Sequence, residues 1–383
     1  MTPSRNEQEI LDWLAGERGA MLALLADLVN TDSGSYDKAG VDAVGARLRG
    51  FLEGQGIACE TLPDDRFGDV LRAGIGTGPN STILLMGHRD TVFPRDEAKR
   101  RPFRIENGRA YGPGVADMKA GLVMNAFVLA AFGRFGGAPA PLVGLFTSDE
   151  EIGSPSSRPV IEAEARRARA VFNAEPGRPS GAVVTGRKGG VFSRLSITGK
   201  AAHSGGNFAD GISAIEELAR KVIALHALTD LTRGITVNVG LVSGGQTVNT
   251  VAPWAKAEID LRFVTKADRD ETMGRIQRIV DTAHVPGTTA TLEIAGEFLP
   301  LVENEDNARL FRHYAACAEA VGRTVAGEFT GGCADSGFAA SVGAPTICAV
   351  GPIGGKAHTP EEYLEVESLV PRAQSLALAV ARL

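Results

Sequence analysis

Four short apolar runs, each breaking off at polar or glycine residues, restrict this chain more than any other feature. Residues 81–87 (Ser-Thr-Ile-Leu-Leu-Met-Gly), 142–147, 168–173 and 344–350 are rich in strand formers. Runs that are apolar at nearly every position are strands buried on both faces, the mark of an α/β sheet. Helical patterns occupy residues 120–132 and 159–169, between successive runs. His88 and Asp90 lie at the end of the first run, Glu150 and Glu151 after the second, and Glu175 after the third. Open α/β sheets bind ligands beyond the carboxyl ends of their strands, so these positions support one another as parts of one site.

With 383 residues, the chain is too long for one compact core and is expected to form two domains. From about residue 186 to 297 the pattern changes to alternating strands at 190–198, 235–242 and 255–263, with helices at 212–228 and 266–284. That is the pattern of a small α+β layer domain. A net charge of −6 argues against a general nucleic-acid binder, which would carry a basic stripe. Residues 1–30 read as largely one amphipathic helix, interrupted by Asp12, Glu17 and Arg18, and not as a signal peptide. No apolar stretch is expected to approach the roughly 20 residues that span a bilayer. The scattered Cys59, Cys317, Cys333 and Cys348 have no metal-type spacing, as expected of reduced thiols in a cytoplasmic protein.

The candidate chemistry is spread along the chain in order. His88-Arg89-Asp90 comes first, then Gly112-Pro113-Gly114-Val115-Ala116-Asp117-Met118-Lys119, then Asp149-Glu150-Glu151, Glu175-Pro176 and a late His358-Thr359-Pro360. Two imidazoles with several carboxylates suit zinc, cobalt or manganese, whereas calcium prefers oxygen ligands alone. Read singly, these residues have plainer roles: a strand-end histidine, turn and cap aspartates, a solvated acidic turn. As an ordered series they resemble the M20 family of dinuclear zinc amidohydrolases, from about residue 83 to the C-terminus. That family includes glutamate carboxypeptidases, acetylornithine deacetylase, succinyl-diaminopimelate desuccinylase and aminoacylases.

The resemblance implies an α/β fold: a mixed-sheet zinc-hydrolase catalytic domain (residues 1–186 and 298–383) interrupted by a ferredoxin-like α+β lid and dimerisation domain (187–297). It implies two divalent metal ions, zinc first, with cobalt or manganese as alternatives. Asp117 would be shared by both ions, His88 and Glu175 would complete one position, and Glu151 and His358 the other. Asp90 would orient the His88 ring, and Glu150 would be the general base that takes a proton from water and passes it to the leaving nitrogen. His203, in Ala201-Ala202-His203-Ser204-Gly205, would stabilise the oxyanion from the lid. Asn249 and Arg262 match lid residues that meet substrate oxygens, and the loop with Gly332 and Cys333 would line the substrate cleft. Arg187, beside Lys188 at the hinge, is a candidate for a substrate carboxylate. Cys333 has no histidine near it in sequence and reads as a small loop residue, not a nucleophile.

Two departures stand out. Glu297 occupies the stretch where the glutamate-releasing members carry an arginine that grips the terminal glutamate. Arg89 replaces an apolar residue and is expected to add positive charge near the metals. The expected activity is hydrolysis of an amide next to a free carboxylate, in a small molecule or short peptide, by a homodimer with no nucleic-acid or membrane partner. A small-molecule N-deacylase and a metal-free binding protein of the same fold are the competing readings.

Overall fold

The computed structural model describes residues 3–78 and 81–383; Met1 and Thr2, at the start of the expected first helix, lie outside the described residues. The strands are β1 (Ala58–Leu62), β2 (Val70–Ile75), β3 (Thr82–His88), β4 (Arg104–Glu106), β5 (Arg109–Tyr111), β6 (Leu142–Thr147), β7 (Ala168–Asn173), β8 (Val183–Arg187), β9 (Gly189–Thr198), β10 (Thr236–Gly244), β11 (Trp254–Phe263), β12 (Thr289–Phe298), β13 (Gly327–Thr330), β14 (Thr346–Cys348), β15 (Gly354–Gly355) and β16 (Tyr363–Glu365). Two compact units result: Met1–Gly186 with Glu303–Thr330 and Ala334–Leu383, and Arg187–Val302 with Gly331–Cys333. The sequence places the second boundary at 297/298. The unit instead runs on to Val302, because the Arg187 amide donates to the Leu301 carbonyl (2.9 Å) and pairs the entering and leaving strands.

The first unit is built on an eight-stranded mixed sheet, ordered β1-β2-β6-β3-β7-β14-β8-β13. Its centre is parallel: β3 pairs with β6 and β7, and β7 with β14, while β1 and β2 add antiparallel partners on one side. All seven residues of β3 and all six of β6 are buried, which is why their sequences read as continuous apolar runs. Parallel pairing brings the carboxyl ends of β3, β6 and β7 to one edge. A small antiparallel sheet, β15-β16-β5-β4, joins residues far apart in sequence, with Tyr363 opposite Tyr111.

Against the main sheet lies the helix Ala120–Arg134, buried throughout its first thirteen residues. Together with the preceding turn Val115–Lys119 it makes a 20-residue apolar segment long enough to cross a membrane, contrary to the expectation that none exists. Of its most apolar window, 94% is buried inside the fold, so the segment is a core helix. Each fully buried Leu, Val or Phe there is worth about 1.5–3 kcal/mol of burial. Four further helices cover it: Arg5–Gly16, Arg18–Val29, Lys38–Gly54 and Leu369–Ala381. The single N-terminal helix read from the sequence is thus two. The chain breaks at Glu17, whose amide turns back to the Trp13 and Leu14 carbonyls and closes the first helix.

The second unit has one antiparallel sheet, β10-β11-β9-β12, and the helices Ala214–His226 and Lys266–Asp281 packed on it. Its chain order is βαββαβ, the ferredoxin-like arrangement. The sequence reading omits β12, although Thr289–Phe298 alternates. Along β11 alternate residues are buried, and Val191, Leu195, Leu218, Ile259, Leu261 and Ile276 form the core. A buried Lys221 donates to the carbonyls of Ile279 (2.6 Å), Val280 (3.0 Å) and Thr282 (2.7 Å), capping the end of helix Lys266–Asp281. Glu217 neutralises it at 2.9 Å.

Candidate active site

His88 is the last residue of β3. Its Nδ1 lies 3.0 Å from the Asp90 carbonyl oxygen and 3.4 Å from Asp90 Oδ1, so the main chain holds the ring more closely than the carboxylate does. Its Nε2 faces Asp117 Oδ1 at 3.2 Å, Glu175 Oε1 at 3.7 Å and Glu150 Oε2 at 3.9 Å. Asp117 sits in the turn Val115–Lys119, where the backbone is locally non-helical (φ −109°, ψ 92°). Its second oxygen, Oδ2, meets His358 Nε2 at 3.3 Å, and the same nitrogen meets Glu151 Oε2 at 3.1 Å. One carboxylate therefore spans two imidazoles, and Glu151 and Glu175 flank the pair on opposite histidines. Ligand atoms of His88, Asp117 and Glu151 lie within 4.8 Å of one another.

Asp90 does more than the sequence suggests. It is fully buried and accepts from the Ser35 hydroxyl (2.7 Å) and from the amides of Glu150 and Glu151 (both 3.1 Å). It thus anchors the acidic turn that follows β6. Asp149 shapes the same turn from inside, accepting from the Ser156 amide (2.6 Å), the Ser156 hydroxyl (2.9 Å) and the Ser157 amide (3.3 Å). Gly153 closes the turn at φ +90°, a conformation that L side chains rarely adopt. The pair Glu150-Glu151 is therefore not a solvated acidic turn.

The electrostatics of this cluster are unbalanced. Burial, together with the neighbouring Glu175 and Asp335, pushes the Glu150 carboxyl well above its ordinary value against the pull of His88. Burial also raises Glu151. Hydrogen bonds to Asp117 and Glu151 push His358 up to about 10. Asp117 is half-buried, and against that burial the two histidines hold its carboxyl far below the usual range. Among the described residues, Glu151 Oε1 is buried without a hydrogen-bond partner. Four carboxylates around two imidazoles, one with an orphaned buried oxygen, form a donor set that divalent cations would satisfy. Mixed nitrogen and oxygen donors fit zinc, cobalt or manganese.

Three residues near the cluster escape a sequence reading or depart from it. Arg89 is buried and donates to the carbonyls of Val41 (3.1 Å), Thr147 (3.3 Å) and Asp69, so its hydrogen bonds serve packing against the Lys38–Gly54 helix while its charge acts on Asp90 and Asp149. A Cβ at Gly45 would collide with its guanidinium, which explains the glycine there. Asp335, accepting from the Thr147 (3.2 Å) and Ser154 hydroxyls, is pushed up to about 7, chiefly by burial. Glu362 accepts from the amides of Gly114 (3.1 Å), Ala116 (2.8 Å) and Asp117 (2.9 Å). Burial pushes its carboxyl up to about 7 against the pull of those amides. The available signals were an acid two residues past Cys333 for Asp335, and an acid four residues past His358 for Glu362.

The second unit gathers the remaining candidates in two places. His203 Nδ1 accepts from the amides of Gly205 (3.1 Å) and Gly206 (3.0 Å), which puts the ring proton on Nε2 and presents it as a donor. The Ser204 amide donates to the Asn249 carbonyl (2.9 Å), and His203 bridges to Thr250, so His203 and Asn249 share one loop cluster. Arg262 donates to Asp260 (2.7 Å) and to Cys333 Sγ (2.8 Å), its guanidinium 5.1 Å from the centre of the Phe192 ring. Arg187 donates to the carbonyls of Gly332 (3.2 Å) and Cys333 (3.1 Å). Burial raises the Cys333 thiol despite these two arginines, as befits a loop residue and not a nucleophile. Glu297 accepts from Arg269 (2.7 Å), so its charge is partnered within this unit.

Comparison with known proteins agrees with this architecture. Carboxypeptidase G2 from Pseudomonas sp. (strain RS-16) is 28% identical over 362 residues, covering 93% of this chain and 87% of that protein. Succinyl-diaminopimelate desuccinylase from Stenotrophomonas maltophilia (strain K279a) is 29% identical over 91% of this chain and 95% of its own length. Among solved structures, an M20 family metallo-carboxypeptidase from Sulfolobus solfataricus superposes with a TM-score of 0.79 at 20% identity, covering 94% of this chain and 99% of that one. The sequence profile of peptidase family M20/M25/M40 matches residues 84–382. The chain belongs to that family and is a metallohydrolase of the M20 type.

Proposed function

We propose that this M20 hydrolase cleaves an amide bond adjacent to a free carboxylate, releasing an amino acid such as glutamate from an N-acyl or N-aroyl group. The observation that carries the reading is Asp117, whose two oxygens address His88 and His358 separately. His88, Glu175 and Asp117 would hold one divalent ion, and Asp117, Glu151 and His358 a second, with zinc the first choice. Such ions would supply Lewis acidity to the substrate carbonyl and lower the pKa of water. Glu150, whose carboxyl burial raises well above its ordinary value, accepts the proton of the attacking water and returns it to the leaving nitrogen. Asp90 orients both that base and Glu151 through their amides. His203 donates from Nε2 to the developing oxyanion, and Asn249, Arg262 and Arg187, with the Gly332-Cys333 loop, bind substrate oxygens.

A homodimer through the second unit is part of the reading. Leu241 and Val242, more than 60% exposed on edge strand β10, and Ile223, 74% exposed on the neighbouring helix, support it. The second reading is a small-molecule N-deacylase with the same machinery, favoured by Glu297, an acid held by Arg269 where glutamate release calls for a cation. A panel of N-acyl, N-aroyl and dipeptide substrates decides between them, assayed on chelated enzyme and on enzyme restored with zinc, manganese or cobalt. Metal-dependent release of glutamate or aspartate from aroyl substrates is expected. Metal-dependent activity confined to short acyl groups would move the enzyme to the deacylases, and no metal dependence at all would end the mechanism.

A further inference from the structure

Glu362 has no part in the mechanism above, yet its carboxylate is completely buried. The hydrogen bonds it accepts come from three main-chain amides: Gly114 to Oε2 (3.1 Å), and Ala116 (2.8 Å) and Asp117 (2.9 Å) to Oε1. These amides lie in a turn without regular geometry, with Gly114 at φ +71° and Asp117 off the helical region, so no helix or strand supplies them with acceptors. Charge-assisted bonds of this kind are about twice as strong as neutral ones. On its other side, Glu362 follows His358 by four residues and leads into β16, which pairs with β5 immediately before the same turn. Arg101 steadies this second segment by donating to the Pro360 carbonyl (2.9 Å). One carboxylate therefore joins the turn that carries Asp117 to the turn that carries His358.

We propose that Glu362 is a positioning residue that fixes Asp117 against His358 and so sets the affinity of the site for its second divalent ion. The inference rests on the metallohydrolase reading. His88 ends β3 and Glu175 follows β7, so the main sheet holds both without help from Glu362. Asp117 and His358 stand on irregular turns. Loosening Glu362 leaves the His88–Glu175 position with two fixed residues but the Glu151–His358 position with only one.

Zinc titration calorimetry on chelator-stripped wild type, Glu362→Gln and Glu362→Ala, with the melting temperature of each metal-free protein, tests this. Wild type should take two ions. Glu362→Ala should keep one at near wild-type affinity and bind the second about 10–100-fold more weakly. Glu362→Gln, which keeps the length and an oxygen for Ala116 and Asp117 but loses the charge and the acceptor for Gly114, should bind the second ion more weakly than wild type and more tightly than Glu362→Ala. The proposal is overturned if Glu362→Ala binds both ions as wild type does, or if Gln and Ala lose affinity equally, since charge alone would then explain the effect. Should Glu362→Ala fail to fold, Glu362→Asp takes its place, keeping the charge while withdrawing the oxygens by one methylene; wild-type affinity for the second ion would overturn the proposal. Wild type that binds no ion would overturn the metallohydrolase reading, and this inference with it.

Discussion

In the proposed mechanism, Glu150 and His203 divide the chemistry between two kinds of placement. Glu150 is buried, with its amide held by Asp90, so its position does not depend on its own ionisation. Glu150→Gln should therefore keep wild-type zinc content, measured by atomic absorption, while kcat falls about 10²–10⁴-fold, the usual scale for a lost general base. His203 is exposed on its turn, and its tautomer is set by two glycine amides. His203→Ala should leave zinc content unchanged and lower kcat about 10²–10³-fold, as loss of one oxyanion donor does. Near-normal turnover in the fully metallated Gln variant would remove Glu150 as the base, and an unaltered kcat in the Ala variant would remove His203 as the donor.

Among the elements, the N- and C-terminal helices are tied by an ion pair whose contribution follows pH. Arg382 clamps both oxygens of Glu7, Nε at 2.8 Å and Nη2 at 3.2 Å, with both side chains mostly buried. The arginine beside it lowers the Glu7 carboxyl below its ordinary value. A carboxyl lowered on folding stabilises the protein above its unfolded pKa and loses that contribution as pH falls through the folded one. Glu7→Gln keeps one oxygen, for the Ser4 cap, and removes the charge together with one of the two acceptors that Arg382 uses. It should cost about 1 kcal/mol near pH 7, and the gap from wild type should close as pH falls below about 4.5. Urea unfolding across that range checks this, and a gap that persists undiminished at about pH 3 would assign the cost to packing.

The same elements mark what a sequence gives away and what it conceals. Strands β3 and β6 were legible because both faces are buried, which leaves an unbroken apolar run. The residues just past their ends were legible because parallel strands deliver them to one edge. Glu362 was not, since its partners are main-chain amides 245 to 248 residues away, and amides leave no trace in residue identity. Arg89 was only half legible: its charge acts on Asp90 and Asp149, but its hydrogen bonds go to carbonyls, which no side-chain pattern records. The break at Glu17 and the strand β12 depend on local hydrogen bonding and on a half-exposed surface, where apolar periodicity is weakest.

For the molecule as a whole, the edge of the second unit bears on assembly. Replacing Leu241 and Val242 together by Lys and Glu should convert a dimer to a monomer in sedimentation, since both side chains are exposed on the edge strand β10. A wild-type monomer would remove the dimer from the reading. A different consequence follows from the pairing of β5 with β16. The Asp117 turn is complete only when Glu362 closes a loop of 245 residues, which includes all of residues 187–302. Closing so long a loop is entropically costly but grows only slowly with length. The ribosome delivers His88, Asp117, Glu151 and Glu175 long before His358. In the proposed two-ion site, metal capture would then be ordered in time, with one half-built binding position waiting on the nascent chain and the other created only when the last strand of the small sheet arrives.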